Sequence, residues 1–459
     1  MLAPVASASF ENDLERIEIL AATPVTSTAL LVRNLSAIYE RAAKARFADY
    51  DVAAVAKAAP ALMYRLFDLR VALRGQLAHY EMLGLMTPEV AQSFRDVFRV
   101  LRYVSDMLGE IASGHPLAEG SYPLRGFTGR DHNTLINYAY YRTSAALAFQ
   151  SGDVVLVRGQ AHNSAAIARI GDVDSQFSHA CIIYVDPQGE HWVIEALIED
   201  GAVITRLEDA LSHQIGRAVL FRPRDPVLGH RAAEMIHAHV GDSLRSGRRI
   251  AYDFSMLMSN YRRLFCSKLV RQAFDRASLG QFMLPTFHTR FVQNRDFYKR
   301  LGVKARETFA PGDMDIEPHF DLVAEWQDYR VTSRLRMQDM LMTKLFEWME
   351  HRDWRFKEDW TIRMISLFGR LSTHLSEDAR ALVGSVVPKI PPYMRRRTIA
   401  TIAMLHKTAE PLLASLQELE RASIRETGRP LHPRQILTHL EKLRQTSDGQ
   451  IGYLAGPTG

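Results

Sequence analysis

The chain is poor in cysteine and in long apolar runs, and each absence excludes a class of protein. Its 459 residues include only two cysteines, Cys181 and Cys266, too few for a disulfide framework or a thiolate zinc site. No stretch approaches the roughly 18 consecutive apolar residues that read as a membrane-spanning helix. Met1 to Phe10 lacks the basic and apolar segments of a secretory signal. We therefore expect a protein of a reducing compartment, the cytoplasm, with export by a signal-independent route left open.

Other binding chemistries are also poorly represented. There is no glycine-rich phosphate loop, so nucleotide hydrolysis is disfavoured, and no organic cofactor or metal is expected. A net charge of +5 is mild for this length, and no nucleic-acid partner is predicted. The three arginines at 395–397 could contact phosphates or anionic lipid headgroups, which leaves peripheral membrane contact through a basic helical surface open beside an ordinary helix surface. His230, Glu234 and His237 share a helix face but lack a further ligand, so we interpret them as the polar face of that helix.

The periodicity of apolar residues changes twice along the chain. Residues 62–80 and 90–108 repeat at helical spacing, and Thr87 with Pro88 is a typical helix start. Patterns typical of strands follow from Asp153, and helical patterns return afterwards. The predicted strands are 154–157, 179–185, 192–196 and 218–221, and the predicted later helices lie near 228–240, around Cys266, beyond about 330 and near 398–425. We therefore predict a helical domain at 1–125, an α+β catalytic domain at 126–305 and a helical domain at 306–459.

Two neighbouring strands carry a histidine and a carboxylate. His179 alternates with Cys181, Ile183 and Val185, so these side chains share one face, which the apolar members indicate is covered. Glu195 lies in the apolar strand that follows, and a buried carboxylate needs a partner. An imidazole could be that partner, with the carboxylate in the orienting role of a catalytic triad. The alternatives are a hydrogen-bonded strand histidine and an acid exposed at an edge.

Cys266 lies at the start of a helical pattern. Cys266, Leu269, Val270, Ala273 and Phe274 fall on one stripe, which we expect to pack on the sheet face that bears His179. A first-turn thiol is favoured as thiolate by the helix dipole and by a paired imidazole. The alternative for Cys266 is a small core residue, which is also our interpretation of Cys181 in mid-strand.

These segments together resemble the YiiX/YebB-like branch of the NlpC-type superfamily, the papain-like hydrolases with circularly permuted topology. The resemblance covers roughly residues 150–277, and the histidine strand precedes the cysteine helix, which is the reverse of the ordinary papain order. The motifs that carry it are Gly152-Asp153-Val154-Val155, Ile167-Ala168, Gly171-Asp172, Ser178-His179, Val193-Ile194-Glu195-Ala196, Ala251-Tyr252-Asp253-Phe254-Ser255 and Phe265-Cys266-Ser267-Lys268-Leu269-Val270.

The resemblance implies a fold, a site and a range of substrates. The fold class is α+β, a permuted papain-like core with a small antiparallel sheet between helical flanks. The implied nucleophile is Cys266, with His179 as base, Glu195 as its orienting residue and Tyr252 near the thiol, either binding the oxyanion or packing as a ring. The favoured function is cleavage of a peptide-like amide, isopeptide or acyl-amide bond. The alternative is a lipid-directed acyltransferase or phospholipase of the lecithin:retinol acyltransferase type, or a vestigial lipid- or peptide-binding protein.

Overall fold

The structure is a computed structural model in which the central sheet lies between two groups of helices. The predicted limit between the first two domains, at residue 125, lies outside the described residues. The described residues are 9–112, 134–172, 174–212, 215–292, 294–372, 390–391 and 393–457.

The N-terminal region is a group of packed helices. The predicted helix start is confirmed, because the Thr87 hydroxyl accepts a hydrogen bond from the backbone N–H of Val90 at 3.3 Å. Asp51 caps another helix in the same way, at 3.0 Å from the N–H of Ala53. The two long helices that correspond to the predicted patterns pack on each other and bury their apolar stripes. The helices are α1 (Phe10–Ala22), α2 (Thr28–Lys44), α3 (Val52–Gly75), α4 (Leu77–Met82) and α5 (Pro88–Ala112).

The centre of the protein is a seven-stranded sheet in which every neighbouring pair is antiparallel. The predicted strands at 154–157, 179–185, 192–196 and 218–221 are confirmed, and those at 179–185 and 192–196 pair as a hairpin. Three further strands were not predicted, namely the two edge strands Thr134–Ile136 and Gly201–Arg206 and the internal strand Phe320–Gln327. The order is β1 (Thr134–Ile136), β9 (Phe320–Gln327), β6 (Ile215–Pro223), β2 (Val154–Gly159), β3 (His179–Val185), β4 (His191–Leu197) and β5 (Gly201–Arg206).

Helices inserted between these strands cover the sheet. Two of them pack against β3 and β4, where their apolar side chains join the core. Gly201, the first residue of β5, has φ +75°, a conformation that glycine adopts readily. The N–H of the next residue, Ala202, bonds to the carbonyl of Ile250 at 2.9 Å, and this contact holds the loop that leads to Tyr252. A Cβ at Gly201 would lie 2.2 Å from that carbonyl oxygen. The helices are α6 (His162–Ala168), α7 (Leu207–Ser212), α8 (Pro226–Arg245) and α9 (Cys266–Ala277).

The C-terminal region is again helical, as predicted, and it also contributes short strands. The long helix predicted near 398–425 is present. The helices from residue 295 onward are α10 (Arg295–Leu301), α11 (Thr332–His351), α12 (Trp360–Ser372), α13 (Arg396–Thr427) and α14 (Pro433–Thr446). The two-residue strands in this part of the chain are β7 (Thr289–Arg290), β8 (Glu307–Thr308), β10 (Arg355–Phe356), β11 (Gln450–Ile451) and β12 (Leu454–Ala455).

Buried ion pairs join the helical regions to each other and to the sheet. Arg336 on α11 forms two hydrogen bonds to Glu110 on α5, at 2.7 and 2.9 Å, and both side chains are fully buried. Arg70 on α3 pairs with Glu325 on β9 in the same environment. These pairs tie the N-terminal helices to elements that follow the predicted domain limit at 305. The limits at 125 and 305 stay predictions, although the sheet itself continues to residue 327.

The described helices include none that is both long and apolar enough to cross a lipid bilayer.

Candidate active site

Cys266 is the first residue of α9. The preceding residue, Phe265, has extended backbone angles and ends the approach to the helix. Leu264 forms a parallel bridge with Tyr252, which brings that tyrosine alongside the helix start. The Cys266 side chain is buried, with 5% exposed. A thiol in this position lies at the positive end of the helix dipole, which favours the thiolate.

His179 and Glu195 form the predicted pair. The Nε2 atom of His179 lies 2.6 Å from Oε2 of Glu195, and the hydroxyl of Thr205 donates to the other carboxylate oxygen at 3.4 Å. Since Nε2 is engaged by the carboxylate, Nδ1 is the ring nitrogen left for the Cys266 thiol, which lies close enough for each group to shift the pKa of the other. The structure thus brings the thiol, the imidazole and the carboxylate together in that order.

The electrostatics of the trio favour an ion pair. Burial lowers the pKa of His179, but hydrogen bonds and charge from Cys266 and Glu195 outweigh it and raise that pKa to about 10. Burial likewise raises the pKa of the Cys266 thiol, and the hydrogen bond and charge of His179 more than reverse this, so the thiol pKa is lowered overall. The hydroxyl of Ser267 and the backbone N–H of Ala180 also stabilise the thiolate. Both shifts favour a thiolate beside an imidazolium over the neutral pair.

The helix that bears Cys266 packs on the sheet face opposite to the predicted one. Its apolar residues Leu269 and Val270 join the core cluster that contains Ala180 and Ile182. Cys181 belongs to a separate cluster on the other face, the face that His179 shares by strand alternation. The expectation that the α9 stripe covers the His179 face was therefore wrong. The contact with Cys266 still forms because His179 is the first residue of β3, so its ring lies at the end of the sheet, within reach of the first turn of α9.

Tyr252 lies near the thiol, as the resemblance implied. The side chain is buried, and burial together with the nearby Cys266 charge raises the pKa of its hydroxyl well above the usual value. A neutral hydroxyl in that position is a suitable hydrogen-bond donor to a developing oxyanion. The backbone N–H of Cys266 is another candidate donor, because the first N–H groups of a helix have no partner within it.

A buried ion pair that the sequence analysis missed supports this region. Lys268, wholly buried on α9, places Nζ 2.9 Å from Oδ2 of Asp253, the residue after Tyr252. The backbone N–H of Asp253 also bonds to the carbonyl of Leu264 at 3.0 Å. The pair thus fixes the Tyr252 segment against the cysteine helix. Lys268 and Asp253 both lie in segments that carry the family resemblance, and this was the signal that the sequence offered. Neither periodicity nor spacing indicated that the two side chains contact each other.

The rival residues have structural roles. Cys181 is buried in the sheet core, where burial raises the pKa of its thiol well above the usual value, so it is not activated. His237 stacks on the ring of Tyr184 with centroids 4.6 Å apart, and His230 also faces that tyrosine. This agrees with the interpretation of the α8 histidines as helix surface.

A different group contains metal-ligand types. His162 on α6 and His406 and Glu410 on α13 place one donor atom each within 4.8 Å of one another. Two imidazoles and a carboxylate are donors that zinc accepts. However, His162 already bonds to Glu410 at 2.7 Å, and its ring meets that of His406 edge-on. These contacts account for the cluster without an ion.

Two cavities lie beyond Tyr252, on the side of the C-terminal helices. The first, which we call the apolar cavity, is lined mainly by hydrophobic side chains. The second, the cationic cavity, has a volume of about 320 Å³. Phe254, Leu301 and Thr398 line both. The apolar cavity includes Ile167, Ile198, Tyr252, Met256, Ile402 and Leu405, and the cationic cavity includes Arg262, Arg263, Lys304 and Arg395.

Comparison with known proteins agrees with this geometry. No curated protein and no solved structure matches the chain. Residues 148–324 match a family model described as permuted papain-like amidase enzyme, YaeF/YiiX, C92 family. The match covers β2 to β6, α9 and the first part of β9, and it confirms the resemblance to the YiiX-like hydrolases and the fold class inferred from the sequence. It supports a cysteine hydrolase of the papain-like type. Residues 148–324 are thus similar to the permuted papain-like amidases, and the helical regions on either side are not covered by the family model.

Proposed function

We propose that the protein hydrolyses an amide bond through a covalent acyl-enzyme on Cys266. The observation that carries the proposal is the position of His179, whose ring is hydrogen-bonded to Glu195 at 2.6 Å and lies close enough to the Cys266 thiol to lower the pKa of that thiol. An activated cysteine nucleophile requires a base within hydrogen-bonding reach and a third group that orients the base. All three groups are present, and each comes from a different secondary-structure element.

The chemistry runs in two halves. The Cys266 thiolate attacks the amide carbonyl carbon, while the N–H of Cys266 and the Tyr252 hydroxyl stabilise the oxyanion. The C–N bond then breaks, the proton on His179 goes to the leaving amine, and the acyl group remains as a thioester. In the second half His179 takes a proton from water, the hydroxide attacks the thioester, and the carboxylic acid leaves as the thiolate is restored. Glu195 holds the ring and stabilises its charged form throughout.

A fluorogenic panel tests this proposal without knowledge of the natural substrate. The panel consists of aminoacyl and fatty-acyl amides of 7-amino-4-methylcoumarin, assayed with intact protein. We expect hydrolysis of at least one member, loss of turnover in Cys266→Ala, and retention in the matched control Cys181→Ala. An acyl adduct on the peptide that contains Cys266 should appear by mass spectrometry at early times. Turnover that survives Cys266→Ala would disprove the proposal.

The apolar cavity favours a second candidate, transfer of an acyl group taken from a lipid. Tyr252 forms part of its wall, and the remaining lining is largely aliphatic and aromatic. A hydrocarbon chain in this cavity would be removed from water, which stabilises its binding by about 25 cal/mol per Å² of apolar surface buried. The same thioester would then form from a lipid ester as the C–O bond breaks and the lipid alcohol leaves with the proton from His179, and an amine rather than water would receive the acyl group. Incubation with phosphatidylcholine and an added amine distinguishes the candidates, because a hydrolase yields free acid and a transferase yields a new amide.

A further inference from the structure

Helix α12 presents an unusually large set of apolar side chains to solvent. Among the described residues, sixteen large hydrophobic side chains are strongly exposed, and six of them lie on this single thirteen-residue helix. Trp360 is 75% exposed and Phe368 is 63% exposed. We call these six side chains the α12 stripe: Trp360, Met364, Ile365, Leu367, Phe368 and Leu371.

The stripe is continuous because its members recur at helical spacing. Trp360, Met364, Leu367 and Leu371 are separated by four, three and four residues, which places them on one side of the helix. The opposite side is fixed to the protein, since Ile362 and Ser366 are fully buried and α12 packs along α13. The helix α12 is therefore attached to the protein by its buried side, and its apolar stripe faces solvent. Contiguous exposed apolar surface of this kind marks an interaction site.

Basic residues lie beside the stripe. Arg363 is exposed on α12 itself, and Arg395 and Arg397 are exposed at the start of α13, the helix on which α12 packs. Of the described acidic residues nearby, Glu358 pairs with Arg396 at 3.1 Å, whereas Asp359 is exposed and accepts from the N–H of Ile362 at 2.8 Å. The exposed charge that the described residues place beside the stripe is therefore positive on balance.

We infer that the α12 stripe seats the protein on an anionic lipid surface. A helix that lies in a membrane interface has an apolar side with tryptophan and phenylalanine and basic residues beside it, and α12 with the start of α13 fits this description. The arginines would contact anionic headgroups while the stripe enters the boundary of the acyl chains. A second copy of the chain fits less well, because a two-fold contact through the stripe would bring the same arginines of both copies together.

The α12 stripe lies near the helix residues that line the two cavities. Arg395 lines the cationic cavity, and Thr398, one turn further along α13, lines both the cationic and the apolar cavity. A bilayer seated on α12 would therefore lie beside the cavities that extend from Tyr252. The membrane-binding inference does not depend on the proposed function, since it rests on exposure and charge alone.

Flotation with vesicles tests the inference on the full chain. We expect binding to mixed phosphatidylcholine–phosphatidylglycerol vesicles at low salt, little binding to pure phosphatidylcholine, and weaker binding at high salt. The variant Trp360→Ser/Phe368→Ser/Leu371→Ser should bind about a hundredfold more weakly or worse. Arg363→Gln/Arg397→Gln should lose roughly fivefold per arginine removed.

A matched control and two checks make the result decisive. Met82→Ser/Val227→Ser removes equally exposed apolar side chains elsewhere, at 80% and 76% exposed, and should bind vesicles like the unmodified protein. Thermal melts verify that every variant is folded. The inference is overturned if the unmodified protein does not float with anionic vesicles, or if the control loses as much binding as the triple variant. It is also overturned if light scattering shows a dimer that only the triple variant dissociates, with no vesicle binding.

Discussion

Replacement of Glu195 by glutamine separates the charge of the carboxylate from its shape. Glutamine can still accept a hydrogen bond from Nε2 of His179 through its side-chain oxygen, so the ring should keep its orientation. The negative charge 2.6 Å from the imidazolium is lost. Since this charge helps to raise the pKa of His179 to about 10, the variant should titrate at a lower pH.

The size of the change follows from the contact. An opposite charge within about 4–6 Å of an ionisable group shifts its pKa by roughly 1–3 units, and the retained hydrogen bond to glutamine favours the lower part of that range. The pKa of His179 should therefore fall by about one to two units in Glu195→Gln. The pKa of His179 falls because the variant lacks the carboxylate that stabilises the protonated ring.

The assay is the pH dependence of kcat/KM on the best coumarin amide. Activity needs the thiolate and the protonated imidazole together, so its alkaline limb reports the deprotonation of His179. We expect this limb near pH 10 in the unmodified protein and about one to two units lower in Glu195→Gln. Glu190→Gln, which removes an exposed acid paired with Arg206 on the same hairpin, should leave it unchanged. An alkaline limb that does not move in Glu195→Gln would refute the orienting role of Glu195.

Three further substitutions test Tyr252 and two of the buried ion pairs. Tyr252→Phe should lower kcat by about 10²–10³-fold with little change in KM if the hydroxyl binds the oxyanion, a magnitude typical of one such donor. Lys268→Met should lower the free energy of unfolding by about 3–5 kcal/mol, measured in urea, because it leaves Asp253 without its buried partner. Arg336→Met should cost a similar amount, about 3–5 kcal/mol, by isolating Glu110 between α5 and α11, and Arg336→Met/Glu110→Leu should recover most of the loss.

Local patterns were enough to predict the elements that bear the site. The alternation in β3 and β4 predicted a hairpin, and the spacing after Cys266 predicted a buried helix, both of which the structure contains. These signals are local, because side-chain periodicity is set by backbone geometry within a few residues. The pairing of His179 with Glu195 was predictable because both side chains lie on one face of a hairpin, where the register that pairs Ile182 with Ile194 makes them diagonal neighbours within reach of each other.

Contacts between distant segments were not predictable in this way. Strand β9 at Phe320–Gln327 pairs with β6, about a hundred residues earlier in the chain. The composition of β9 does not indicate which strand it pairs with. The same holds for the buried pair of Lys268 and Asp253. The wrong face for α9 has a related cause, since alternation shows which residues share a face but not which helix covers it. The packing of the helix on Ala180 and Ile182 is decided by the whole fold.

The most direct test of the account is the rate at which limiting iodoacetamide labels each cysteine as a function of pH. We predict that Cys266 is labelled rapidly at and below neutral pH, because His179 lowers the pKa of its thiol, while buried Cys181 remains unlabelled. In His179→Ala the rapid reaction should disappear, and Cys266 should react only as the pH approaches the value of an ordinary thiol, about 8.5. Slow labelling of Cys266 at neutral pH, unchanged by His179→Ala, would contradict the ion pair and with it the proposed mechanism.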